Sequence, residues 1–135
     1  MARTARPTSG RLILDSGAVI GWSRGDARIR ALLREAVSRN VELRVPVVVL
    51  AETLRGGPRD APVNRVLKST GTVPTEASVG RAAGRLLGGT GGRDTADALV
   101  AAEALAVPGS LVLTSDPDDL GPLLADSPQV AVIPV

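Results

Sequence analysis

The chain has no cysteine, no histidine, no tyrosine and no phenylalanine, and Trp22 is its only aromatic residue. These absences exclude disulfides, thiolate nucleophiles, Cys/His zinc sites, Ser-His-Asp triads and histidine general bases. One aromatic platform is too few for the stacking by which many RNA readers hold bases. No apolar run approaches the ~20 residues of a membrane-spanning helix. The segment from Met1 to Gly10 carries Arg and Pro but no hydrophobic signal-peptide centre. Carboxylates, hydroxyls, arginines, backbone dipoles or a metal held by oxygen are what remain for chemistry.

The 135 residues are 44% apolar and 22% charged, as expected of a soluble globular domain. The reading is a flexible N-terminal tail over 1–10, a single domain over 11–135, no membrane association and a cytoplasmic location. Fifteen of the sixteen basic residues are Arg, the exception being Lys68, and the net charge is +2. Guanidinium suits phosphate oxygens. Ala, Gly and Val are abundant alongside Arg, however, and coding bias in a GC-rich genome is the plainer account of the excess.

Arg11–Leu14 is a short apolar run ending at Asp15, the pattern of a buried parallel strand. Ile29, Leu32, Leu33, Ala36 and Val37 fall on one face of a helix over 26–40. Val41–Val45 alternates, with Glu42 and Arg44 outward, and predicts an exposed edge strand. A helix entered at Pro46 ends at Gly56-Gly57. The spacing predicts further helices over 58–69, 76–87, 94–106 and 118–124, and strands near Thr72-Val73, over 111–113 and over 130–133. The glycine-rich run from Gly88 to Gly92 reads as a flexible turn. Alternating strands and helices define a three-layer α/β fold with a mostly parallel sheet.

Within that pattern four acids stand out. Asp15 and Asp116 each follow the carboxyl end of a strand, the edge where open α/β sheets bind ligands. Asp97 lies in the first turn of the 94–106 helix, and Glu52 lies among Val49, Leu50, Ala51 and Leu54. Each has a plainer role open to it. Asp15 can cap the next helix, Glu52 can lie on a solvated stripe beside Arg55, and Asp94 reads mainly as a cap. Asp116 and Asp119 can serve an Asp-Pro-Asp-Asp turn. Taken together, close carboxylates repel and resist ionisation. A divalent cation relieves that penalty, and an all-oxygen set suits Mg²⁺ or Mn²⁺.

Four segments in order, Leu12–Ala18, Pro46–Gly56, Asp97–Ala102 and Val112–Leu120, resemble the PIN-domain nucleases, and within them the VapC-type toxins of toxin–antitoxin pairs. The resemblance spans Leu12 to Val135. It implies a PIN-like three-layer domain whose acidic cluster binds Mg²⁺ or Mn²⁺ and hydrolyses RNA. The family's acids fall on Asp15, Glu52, Asp97 and Asp116, with Thr114 as the hydroxyl before the last. Asp94 and Asp119 lie one helical turn away and can substitute or assist. Many members carry an aromatic residue after the last acids, where this chain has Leu120.

A phospho-receiver domain would need a lysine beyond a late strand, and the only lysine is Lys68. A haloacid-dehalogenase-type phosphatase would need an Asp where Gly17 stands. A PIN-fold nuclease with a non-toxin role and a catalytically silent PIN-fold binding module stay open. Arg24, Arg55 and Arg93 are the candidates for gripping substrate phosphate. The resemblance also implies a cognate antitoxin and a homodimer. Ile29, Leu33, Val63, Val66 and Leu67 supply a physical motive if they form an exposed apolar patch.

Overall fold

Leu12, Ile13 and Leu14, almost wholly buried, form the centre of a parallel sheet. The computed structural model describes residues 10–72 and 74–135. In chain order the elements are β1 (Arg11–Leu14), α1 (Ser16–Ser23), α2 (Ala27–Ser38), β2 (Glu42–Val45), α3 (Val47–Thr53), a 3-10 turn (Pro58–Asp60) and α4 (Ala61–Leu67). There follow β3 (Gly71–Thr72), α5 (Ala77–Thr90), α6 (Thr95–Leu105), β4 (Leu111–Thr114), α7 (Pro117–Leu124) and β5 (Ala131–Pro134). The tail expected over 1–10 lies outside the described residues except for Gly10, which is buried. A Cβ there would stand 2.4 Å from the carbonyl oxygen of Gly109, and φ is +95°. Val73, the second half of the short strand expected at Thr72-Val73, also lies outside them.

The strand order is β3-β2-β1-β4-β5, every pairing parallel. From β1 the chain builds outward through β2 to β3, then crosses back to β4 on the other side. Parallel crossovers are right-handed, so this reversal puts the connecting helices on both faces. Helices α1, α2 and α4 pack together, and α5, α6 and α7 form the second group. The three-layer α/β reading is thereby met.

The structure differs from the sequence pattern in three places. Strand β2 is interior, between β1 and β3, rather than an exposed edge. Glu42, part-exposed, pairs with both Arg44 and Arg11, and these ion pairs hold the polar face of the strand. Helix α5 also continues through Gly88 and Gly89 to Thr90. Its Val79 and Ala83 pack on Ala98 and Ala102 of α6, with Leu86 and Leu87, just before the glycines, against the same cluster, and this packing outweighs the poor propensity of two glycines. The stop is a single residue, Gly91, at φ +69°. Finally, Ile29, Leu33 and Val63 are buried in the main core. They form no exposed patch, and among the described residues the exposed large hydrophobics are Val37 and Val47.

Candidate functional site

The reversal of strand order lies between β1 and β4, and both strands end there in polar residues. Leu14 pairs with Leu113, which sets Asp15 beside Thr114. The Asp15 amide donates to the Leu113 carbonyl at 3.0 Å, carrying the strand pairing one step into the site. Asp15 is only 4% exposed. Its Oδ1 accepts the Ser16 amide at 2.7 Å at the N-cap of α1, and its Oδ2 accepts the Thr114 hydroxyl at 2.8 Å. The carboxylate that caps α1 therefore also bonds the end of β4.

Asp97 enters from the first turn of α6, and Asp94 caps that helix by accepting the Asp97 amide at 2.9 Å. Partial burial pushes the Asp97 carboxyl up to about 7, and the charges of Asp94, Asp15, Asp119 and Glu52 push in the same direction. Glu52 is on an exposed part of the short helix α3, not enclosed by its aliphatic neighbours. Its carboxyl is also raised, by partial burial and then by Asp15 and Asp94. Five acids from four elements thus share one electrostatic field.

Asp116 stands differently. It follows β4 and its amide donates to Thr114 Oγ1 at 2.9 Å, while its exposed side chain makes no capping bond to α7. Asp119, one turn into α7, is the acid on that side whose charge reaches Asp97. Asp118, which the sequence reading passed over, lines the same recess of about 310 Å³ as Arg93, Asp94, Asp97 and Asp119. Its only signal was its place in an Asp-Pro-Asp-Asp run.

Arg93 is the one basic side chain lining that recess. Arg55 folds back on α3, its Nη1 donating to the carbonyls of Ala51 and Leu54. Arg24 caps the far end of α1, about 12 Å of helix from Asp15 at 1.5 Å per residue. The three arginines do not converge on one point of the recess.

Among the described residues no three acidic side chains close into a ready cage for a metal. All the candidate donors are oxygens, and Asp15 and Asp97 reach the field from different elements. A hard cation that keeps several waters and takes one or two carboxylates directly fits this set, as Mg²⁺ does; a cation stripped of its water does not.

A three-layer α/β domain with acids at the β1/β4 switch point, their charges reaching an acidic recess between α5, α6 and α7, has its polar groups where open α/β sheets bind ligands. A PIN domain model matches residues 12–120, and the chain belongs to the PIN domain family. The fold is similar to VapBC2 from Rickettsia felis bound to a DNA fragment from its promoter, with TM-score 0.73 and 15% identity over 92% of this chain and 98% of that one. It is also similar to DNA-bound VapBC from Salmonella typhimurium, with TM-score 0.66 and 14% identity over 93% and 98%. VapBC-1 from nontypeable Haemophilus influenzae gives TM-score 0.66 and 15% identity over 91% and 96%. Identities this low speak for shared fold alone. No curated protein matches the chain. No helix among the described residues is long and apolar enough to cross a membrane.

Proposed function

We propose that this PIN domain is a divalent-metal-dependent endoribonuclease and the toxin half of a toxin–antitoxin pair. The observation that supports it most is the Asp97 carboxyl, raised to about 7 by burial and four other acids at the sheet's switch point. Such a field is unfavourable unless a cation joins it, and PIN nucleases as a class use divalent metals. A bound Mg²⁺ or Mn²⁺ would supply charge neutralisation at the phosphate and activation of water at neutral pH.

The chain's own groups have separable roles in this reading. Asp15 and Asp97 hold the cation, and Glu52 with Asp119 completes the acidic wall, Asp116 lying at its rim. Thr114 keeps Asp15 in one orientation through its 2.8 Å hydrogen bond. Arg93 meets a substrate phosphate at the recess. No Lys or Arg follows it in the chain, while seven acids do. Cations for the substrate backbone must therefore come from Arg93 and from earlier segments, among them Arg24 and Arg55.

RNA cleavage by the purified chain with Mg²⁺ or Mn²⁺ tests the reading. Cleavage is expected to disappear in Asp15→Asn and Asp97→Asn and to persist in the wild type until chelator is added. Cleavage retained in either variant, or in excess chelator, would overturn the metal-site assignment. DNA cleaved in preference to RNA would overturn the substrate.

The antitoxin belongs to the same proposal, supported by the VapBC assemblies whose fold this chain shares. A homodimer is retained as part of it, without help from Ile29, Leu33 and Val63, which the core absorbs. Sedimentation tests the dimer, and growth on expression with and without the adjacent gene tests the toxin. A harmless chain that cleaves RNA in vitro would leave the nuclease and remove the toxin.

A further inference from the structure

At the opposite end of α6 from Asp97, five charged side chains act on one another beneath the helix. Glu42 of β2 binds two arginines, Arg11 of β1 through Nε at 3.4 Å and Arg44 of β2 through Nη2. Glu103 of α6 is 6% exposed, and its Oε1 has no hydrogen-bond partner among the described residues. The buried Nε of Arg44 has none either. Burial raises the Glu103 carboxyl; Arg11 and Arg44 oppose that rise and Glu76 adds to it. Among the described residues, three carboxylates against two guanidiniums leave this group one cation short, and Glu42 already engages both arginines. Buried acceptors are nearly always satisfied, and an unsatisfied carboxylate is among the costliest to keep.

Glu103 is also part of the wall of a cavity of about 330 Å³, beside the start of β1 and the entry to α5. Glu76 and Ser78 add acceptors to that wall, Val79 and Val107 add aliphatic surface, and Arg11, which Glu42 engages, also lines it. Acceptors beside aliphatic surface complement a cationic head on an alkyl stem. We propose that this cavity binds a primary alkylammonium or alkylguanidinium group, with Glu103 as its anchoring carboxylate and Glu76 as the second. The guest supplies the missing positive charge, and its stem lies along Val79 and Val107. The site does not depend on the nuclease reading, because none of these residues belongs to the acid field around Asp97. The group can arrive on a free polyamine or as a Lys or Arg side chain of another protein.

The test uses the full chain at about pH 8, where an ordinary carboxyl is ionised, and follows the methyl resonances of Val79 and Val107. The probes are n-butylammonium, spermidine and the peptide acetyl-Gly-Arg-Gly-amide. Saturable shifts are expected, weakened about tenfold in Glu103→Gln, the equivalent of ~1.4 kcal/mol. A smaller loss is expected in Glu76→Gln, at an exposed position where the fold is not at stake. Tighter binding of spermidine than of the peptide assigns a free amine, and the reverse order assigns a protein side chain. Linear, unsaturating shifts overturn the proposal, as does equal affinity in wild type and Glu76→Gln. In either case a proton on Glu103 takes the place of the guest.

Discussion

The hydroxyl of Thr114 donates to Oδ2 of Asp15 at 2.8 Å, joining residues 99 positions apart. Thr114 Oγ1 in turn accepts the Asp116 amide at 2.9 Å. One buried side chain therefore ties the ends of β1 and β4 together across the point where the sheet reverses. Thr114→Val keeps the shape and removes both bonds. Urea unfolding is expected to show a loss of ~1–3 kcal/mol, the range for leaving buried polar groups unpaired. Mn²⁺ affinity is expected to fall with it, because Asp15 loses its orientation. Unchanged stability together with unchanged Mn²⁺ binding would show that Asp15 holds its position without this bond.

Asp97 links stability to pH. Its carboxyl is raised from 3.8 to about 7, so the folded chain binds that proton more tightly than the unfolded chain does. Metal-free protein is therefore expected to lose stability as pH rises from 3.8 to about 7, and to level off above that. Asp97→Asn removes the charge. Calorimetry should find the metal-free variant more stable than wild type near neutrality, while the variant is inactive on RNA. A variant whose stability follows the same pH slope would place the slope on another group.

Asp94→Asn separates capping from charge. Asn caps a helix about as well as Asp, so stability is expected to change by only a few tenths of a kcal/mol, whereas Asp94→Ala should cost ~1 kcal/mol. Asp94 is the leading charge acting on Asp97. NMR titration should therefore find the Asp97 midpoint lower in Asp94→Asn, with most RNA cleavage kept. An unmoved midpoint would mean that burial and the other acids, not Asp94, raise Asp97.

Gly17 sits where a side chain has no room. A Cβ there would stand 2.7 Å from the Ser115 Cβ and 1.9 Å from its Oγ. Ser115 lies between Thr114 and Asp116, so Gly17→Ala is expected to displace the loop that carries the site. Cleavage should fall by more than the loss of stability accounts for, and Ser115→Gly in the same chain should restore part of it. No rescue in the double variant would place the damage within α1.

Asp60 is a buried carboxylate that bonds backbone only. It accepts the Arg55 amide at 3.0 and 3.1 Å and the Gly56 amide at 2.7 Å, closing the turn after α3, where Gly56 has φ +86°. Asp60→Asn puts an amide donor against these amides. The expected cost is ~1–3 kcal/mol, with faster hydrogen exchange at Arg55 and Gly56. Exchange unchanged at those two amides would show that the turn holds without the carboxylate.

Much of this was legible in the sequence, because local chemistry determines it. The apolar runs at Leu12–Leu14 and Leu111–Leu113 form strands because their side chains must leave water whichever way the chain folds. Asp94 caps its helix because a carboxylate three residues ahead of an amide satisfies it with no tertiary help. The acids after β1 and β4 were placed at one sheet edge by parallel topology alone.

Tertiary structure decided what depends on a neighbour. Glu42 and Arg44 look like the outward face of an edge strand, and only the arrival of β3 and the pairing with Arg11 make β2 interior. Gly88 and Gly89 break helices in isolation, but the packing of α5 on α6 carries them. Asp119 rather than Asp116 reaches the field around Asp97 because α7 turns its first coil toward α6, an orientation no spacing along the chain encodes. Glu103 reads as one polar residue in an alanine-rich helix, and becomes a buried carboxylate lacking a partner once the sheet closes beneath it. Propensity and burial are properties of a segment, whereas electrostatic field and cavity are sums over segments, and the sum exists only after the chain has folded.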